Sequence, residues 1–116
     1  MSTFNFNIEE PFYTAIKNKR KIYEIRANDA KRQAIKPGDI IEFKRDEASL
    51  LKTIVRARTE FPTLEAAINS VPHALLQATL EQYQGLPGLY QKVEAMGAVL
   101  FQIELHPDEK RYAVFH

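Results

Sequence analysis

Lys21, Glu24 and Arg26 fall on one short apolar segment, Lys21-Ile22-Tyr23-Glu24-Ile25-Arg26. These three side chains suit an anionic ligand. An arginine grips a phosphate or a base edge with two hydrogen bonds, and a lysine supplies a point charge. A glutamate between them either holds the arginine in place or accepts a hydrogen bond from a base amino group. Charges on a strand at the centre of a small domain are costly unless solvent or a ligand meets them. Side chains alternate along a strand, so Glu24 and Arg26 share a face. Lys21 has the opposite parity, but it begins the segment and its four-carbon stem can curl across an edge. The competing reading is a structural ion pair, worth roughly 0–1 kcal/mol if exposed.

Further cations surround this segment: Lys17, Lys19, Arg20, Lys31 and Arg32 nearby, and Lys52, Arg56 and Arg58 downstream. Strand parity predicts that Arg56 and Arg58 share a face with Lys52. Residues 1–58 hold 13 Lys/Arg and 8 Asp/Glu, a net of +5, whereas residues 59–116 hold 3 and 7, a net of −4, so a total of +1 conceals a dipolar chain. Such a chain can present a basic face to an anion, or merely an unevenly charged solvated surface. Tyr23, Phe61, Tyr83 and Tyr90 are available for base stacking, although aromatics at these spacings usually pack in cores. The expected ligand-binding set is Lys19, Arg20, Lys21, Glu24, Arg26, Arg56 and Arg58, with Lys21 and Glu24 as the candidates if catalysis occurs.

The elements that must position these residues follow from length and pattern. A chain of 116 residues, 45% of them hydrophobic, is one domain with one core. No run of eighteen apolar residues is present and residues 1–5 do not open a signal peptide, so a cytoplasmic protein without membrane contact is expected. The chain has no cysteine, and His73, His106 and His116 are not spaced as ligands, so neither metal nor cofactor is expected.

Phe4, Phe6 and Ile8 alternate with Asn5 and Asn7, which predicts a half-buried strand over 3–8. Glu9-Glu10-Pro11 opens a helix running to about Asn18. Strands are expected at 22–26, 40–45 and 50–58, with a tight turn at Pro37-Gly38-Asp39 and a polar hairpin loop at 46–49. From Thr59 to about Ala95 the chain reads as helical or irregular: Thr63 caps a helix over 64–71, Pro72 stops it, and a last helix over 89–96 closes at Gly97. Strands at 98–105 and 112–115 finish the chain. Strands first and helices in the middle do not read as alternating βαβ units. The fold class is α+β, a small mixed or antiparallel β-barrel of five to six strands with helices packed at its rim.

These residues also carry a family resemblance. A helix and basic patch followed by Lys21-x-x-Glu24-x-Arg26, then Lys36-Pro37-Gly38-Asp39-Ile40-Ile41-x-Phe43, resembles an ASCH domain of the PUA-like group. The family pattern is Gly-x-Lys-x-x-Glu-x-Arg with a downstream Gly-Asp pair opening a strand. Thr59-Glu60-Phe61-Pro62-Thr63-Leu64 and the closing segment Met96 to Leu105 extend the likeness over nearly the whole chain. Lys19 departs from the pattern by standing where it has Gly. The resemblance implies a PUA-like barrel with a cleft beside it that binds RNA or a nucleotide-like ligand. Some similar proteins are amidohydrolases acting on acetylated cytidine with a Thr nucleophile, and here Glu24 replaces that Thr, which removes the hydroxyl needed for covalent catalysis. Others have been proposed as ribonucleases. Three classes therefore stand: a binding module for RNA or a nucleotide, which is the leading expectation; an enzyme on RNA or a modified nucleoside; and a regulatory domain binding a peptide or small ligand.

Overall fold

The structure, a computed structural model, describes residues 1–109. The described residues form five strands and six short helices in the order β1 (Thr3–Asn7), α1 (Phe12–Lys17), β2 (Tyr23–Ala27), α2 (Ala30–Gln33), β3 (Ile40–Asp46) and β4 (Ser49–Phe61), followed by α3 (Leu64–Asn69), α4 (His73–Leu76), α5 (Leu80–Gln84), α6 (Leu89–Met96) and β5 (Ala98–Leu105). They form one mixed sheet with spatial order β1-β3-β4-β5-β2. β1 runs parallel to β3, and the other neighbouring pairs are antiparallel. The sheet curls into a half-barrel whose two edges are β1 and β2. The strand expected at 112–115 lies outside the described residues.

Local chemistry explains where the elements begin and turn. Pro37 and Gly38 occupy the middle of a β-turn closed by the Asp39 N–H on the Lys36 carbonyl at 3.0 Å, and Gly38 takes φ +94°. Asp39 then accepts from the N–H groups of Ser2 and Lys36, each at 2.9 Å, so the turn also holds the start of β1 against β3. Thr63 caps α3 by accepting from the Ala66 N–H at 3.1 Å. The helix ends at Asn69, two residues earlier than its apolar spacing predicts, because Ser70 already serves as its C-cap before Pro72.

β4 runs three residues past its expected end at Arg58. Thr59 and Glu60 look like loop residues by type, but β5 pairs with β4 as far as Phe61↔Ala98 and carries them along. Two apolar layers result. Phe6, Phe43, Val55 and Phe101 fill the concave side, capped by Tyr13 and Ile16 of α1. On the opposite face of β2 and β5, Ile25 and Leu100 pack against Leu64, Ile68, Leu76, Tyr83 and Val93 from α3 to α6. The helical segment is thus a wall against the outside of β2.

Candidate functional site

β2 carries the site because it is sandwiched between those two layers. Ile25 faces the helices, while Glu24 and Arg26 lie opposite Phe101 and Val99 of β5 and so face the concave side. Lys21, just before the strand, curls back as its long stem permits. Its Nζ lies 3.6 Å from Glu24 Oε1 and donates to the Leu76 carbonyl at 2.7 Å, with the Phe12 ring 5.5 Å away. The residue is only 2% exposed. Lys21 is therefore a pillar beneath the site that joins α4 to Glu24.

Glu24, 4% exposed, is almost fully engaged. Oε1 accepts from the Ile25 N–H at 3.0 Å and the Tyr83 hydroxyl at 3.4 Å, and Oε2 from Arg26 at 3.2 Å. Burial alone would raise its pKa. The Lys21 charge, then Arg26 and the Ile25 N–H, outweigh that and hold the carboxyl below its usual range. Desolvation pulls the Lys21 amine below an ordinary lysine despite Glu24, and burial followed by the Glu24 charge pushes the Tyr83 hydroxyl well up.

Arg26 spans the gap between the two sheet edges. Its Nη2 donates to the Asn7 carbonyl of β1 at 2.9 Å as well as to Glu24, and its guanidinium lies 4.7 Å from the Phe6 ring centre. Every two-donor fork of a guanidinium uses Nη2, and both hydrogens of that nitrogen are engaged. Arg26 thus offers a ligand single donors from Nε and Nη1. A phosphate gripped in the usual bidentate way would have to displace Asn7 or Glu24.

A cleft of about 450 Å³ opens at this seam. Glu24 and Arg26 form part of its lining together with Ile8, Phe12, Tyr83, Leu86, Pro87 and Leu89. Five cations (Arg26, Arg32, Lys44, Arg45, Lys92) and three carboxylates (Glu9, Glu24, Asp29) complete its charged lining.

The sequence matches the ASCH domain family over residues 6–107. The chain belongs to the ASCH domain family. That family is generally linked to RNA binding. Among solved structures, the crystal structure of hypothetical protein PH0355 is similar at 24% identity with a TM-score of 0.72, covering 91% of this chain and 100% of that one. The solution structure of PF0455 from Pyrococcus furiosus is similar at 25% identity with a TM-score of 0.59, covering 90% and 98%. ZmASCH from Zymomonas mobilis, as its S128A mutant, shares the fold at 14% identity with a TM-score of 0.65, covering 88% of this chain and 67% of that one. No curated protein matches the sequence.

Within this ASCH domain the seven residues singled out by sequence separate into several places. Glu24 and Arg26 line the cleft. Lys21 and Lys19 instead border a separate hollow of about 220 Å³ beside Ile22 and Glu104. Arg20 is exposed at the end of the turn after α1. Arg56 and Arg58 do not share a face, because a β-bulge between Val55 and Ala57 resets the alternation of β4. Arg56 pairs with Glu104 at 2.7 Å, opposite the concave side, whereas Arg58 lies across from Phe101 and bonds to Glu60 and Asn28 at 2.6 and 2.8 Å. Tyr83 is 4% exposed and belongs to the core, with only its hydroxyl reaching Glu24.

Three cleft cations escaped the sequence reading: Lys44, Arg45 and Lys92. Lys44 arrives because β3 runs parallel to β1 in the register Asn7↔Lys44, a pairing without a local signal.

The family's Gly position has a backbone reason to prefer glycine. α1 ends in a Schellman motif, with the Lys19 N–H on the Ile16 carbonyl at 3.1 Å and the Arg20 N–H on the Ala15 carbonyl at 2.9 Å. Lys19 sits at φ +62°, the left-handed conformation that costs a residue with a Cβ. Lys19→Gly relieves that cost but loosens the unfolded chain, so a net gain of about 0.5–1 kcal/mol is expected in urea unfolding. A loss of stability would contradict this account of the turn.

Proposed function

We propose that this domain binds single-stranded RNA, or a nucleotide, with one base taken into the cleft at the β1–β2 seam. The observation that carries this reading is the cleft itself: its volume lies in the range that encloses small ligands, one part of its wall is apolar, and a donor and an acceptor stand side by side in its lining. Phe12, Leu86, Pro87 and Leu89 give the base apolar contact. Nε and Nη1 of Arg26 donate to a base edge, and Glu24, ionised at neutral pH, accepts from an amino group. The lining's excess of cations favours an anionic backbone. Lys44 and Arg45 hold exposed partners in Glu47 and Glu10. Such exposed pairs are weak, so the two side chains can exchange those carboxylates for phosphate.

The test is binding of a short single-stranded RNA by fluorescence anisotropy across a salt series. Native protein should bind at low salt and weaken as salt rises. Arg26→Ala should weaken binding by about tenfold or more, with circular dichroism confirming that the variant is folded. Absence of binding at low salt, or equal affinity in a folded Arg26→Ala, would defeat the proposal.

A further inference from the structure

We infer that Lys31 and Arg32, with Arg26 behind them, form a phosphate subsite at the mouth of the cleft, so that the ligand carries a phosphate beside the enclosed base. This inference rests on the cleft reading above and adds the group that anchors the ligand.

Three cationic centres surround one ring. Arg26, Lys31 and Arg32 lie 4.7, 5.4 and 4.9 Å from the centre of Phe6. Two carboxylates answer two of them: Glu24 meets Arg26, and Asp29 meets Arg32. Among the described residues Lys31 makes no ion pair: its amine donates to the neutral carbonyl of Asn5, and the Asp29 carboxylate, engaged with Arg32, acts on it only weakly. The cluster therefore keeps one positive charge unanswered, and it sits on Lys31, an exposed residue. The amine reflects this: desolvation, and then repulsion from Arg32 and Arg26, pull its pKa below the lysine value.

Donors remain for a ligand. Lys31 engages one of its three hydrogens, and among the described residues Arg32 Nη2 has no hydrogen-bond partner. Arg26, with Nη2 doubly engaged, is poorly placed to hold a phosphate alone, so the tetrahedral anion needs its neighbours. Position completes the argument. Arg26, Arg32 and Asn7 line the cleft, and Lys31 binds β1 two residues before Asn7. A phosphate held by Lys31 and Arg32 would thus lie at the edge of the space that takes the base. Arg58, the next cation along, is already paired with Glu60.

The experiment titrates the intact chain with the four ribonucleosides and with their 5′- and 3′-monophosphates, followed by calorimetry or NMR. At least one monophosphate should bind about tenfold more tightly than its nucleoside, with the gap narrowing as salt rises. Lys31→Gln should remove most of that gap while leaving nucleoside affinity within about twofold, since the base contacts are untouched. Equal affinity of nucleosides and monophosphates for the native chain overturns the phosphate subsite and leaves the base cleft standing. So does a Lys31→Gln that weakens both alike. If neither class binds, the cleft reading falls and the subsite falls with it.

Discussion

Glu24→Ala should lower the unfolding free energy by about 3–5 kcal/mol, the range for breaking a buried ion pair by removing one partner. The variant leaves Lys21, 2% exposed, without its counter-charge and takes one acceptor from Arg26. It also strands the Tyr83 hydroxyl and the Ile25 N–H. Glu24→Gln should cost less, because its single amide oxygen still accepts from the Ile25 N–H or from Arg26, although not from both. Combining Lys21→Met with Glu24→Gln should recover much of the Glu24→Ala loss, since no lone charge is then buried. The pH dependence follows from the sign of the Glu24 shift. Its folded pKa is lowered, so its contribution is present above the unfolded value near 4.3 and is lost as pH falls through the folded value. Glu24→Gln should accordingly flatten the acid side of the stability profile. Urea unfolding across pH reads both effects, and a Glu24→Ala chain within about 1 kcal/mol of native would show the pair to be dispensable.

The second large effect is expected at Gly97. It ends α6 and launches β5 with φ +81° and ψ 177°, a region open essentially to glycine alone. A Cβ there would also stand 3.0 Å from the Phe61 carbonyl oxygen, and that atom is fixed where β4 pairs with β5. The Gly97 carbonyl receives the Asn28 N–H at 2.9 Å, so a shift would be felt at the end of β2 too. Gly97→Ala should cost about 2–4 kcal/mol through strain and crowding together. Thermal melting would measure it, with Gly85→Ala as the control, because Gly85 has φ −76° and its nearest atoms lie at 3.5 Å or more. Similar melting temperatures for the two variants would refute the argument.

The readable parts of this fold are those with local causes. Alternation placed β1, the Pro37-Gly38 turn placed β3, Thr63 placed the start of α3, and Gly97 placed the end of α6. The pairing of Glu24 with Arg26 followed from strand parity, and the curl of Lys21 from its stem. The illegible parts depend on distant partners. Lys21 is buried because a carbonyl 55 residues away, at Leu76, meets its amine. Arg56 and Arg58 diverge because of one bulge whose residue types carry no mark. Lys44 and Lys92 reach the cleft through a parallel pairing and through the placement of α6.

The hydrogen bonds that Arg26 and Lys31 make to the Asn7 and Asn5 carbonyls have a consequence for life in a crowded solution. Among the described residues β1 is an edge strand with only β3 as its partner, and bare carbonyls on such an edge invite a strand from another molecule. Here two of them are already occupied by cations, which also repel a second copy carrying the same charges. The side chains that close the seam within one molecule thereby keep the sheet from growing between molecules, and neutralising them would favour aggregation.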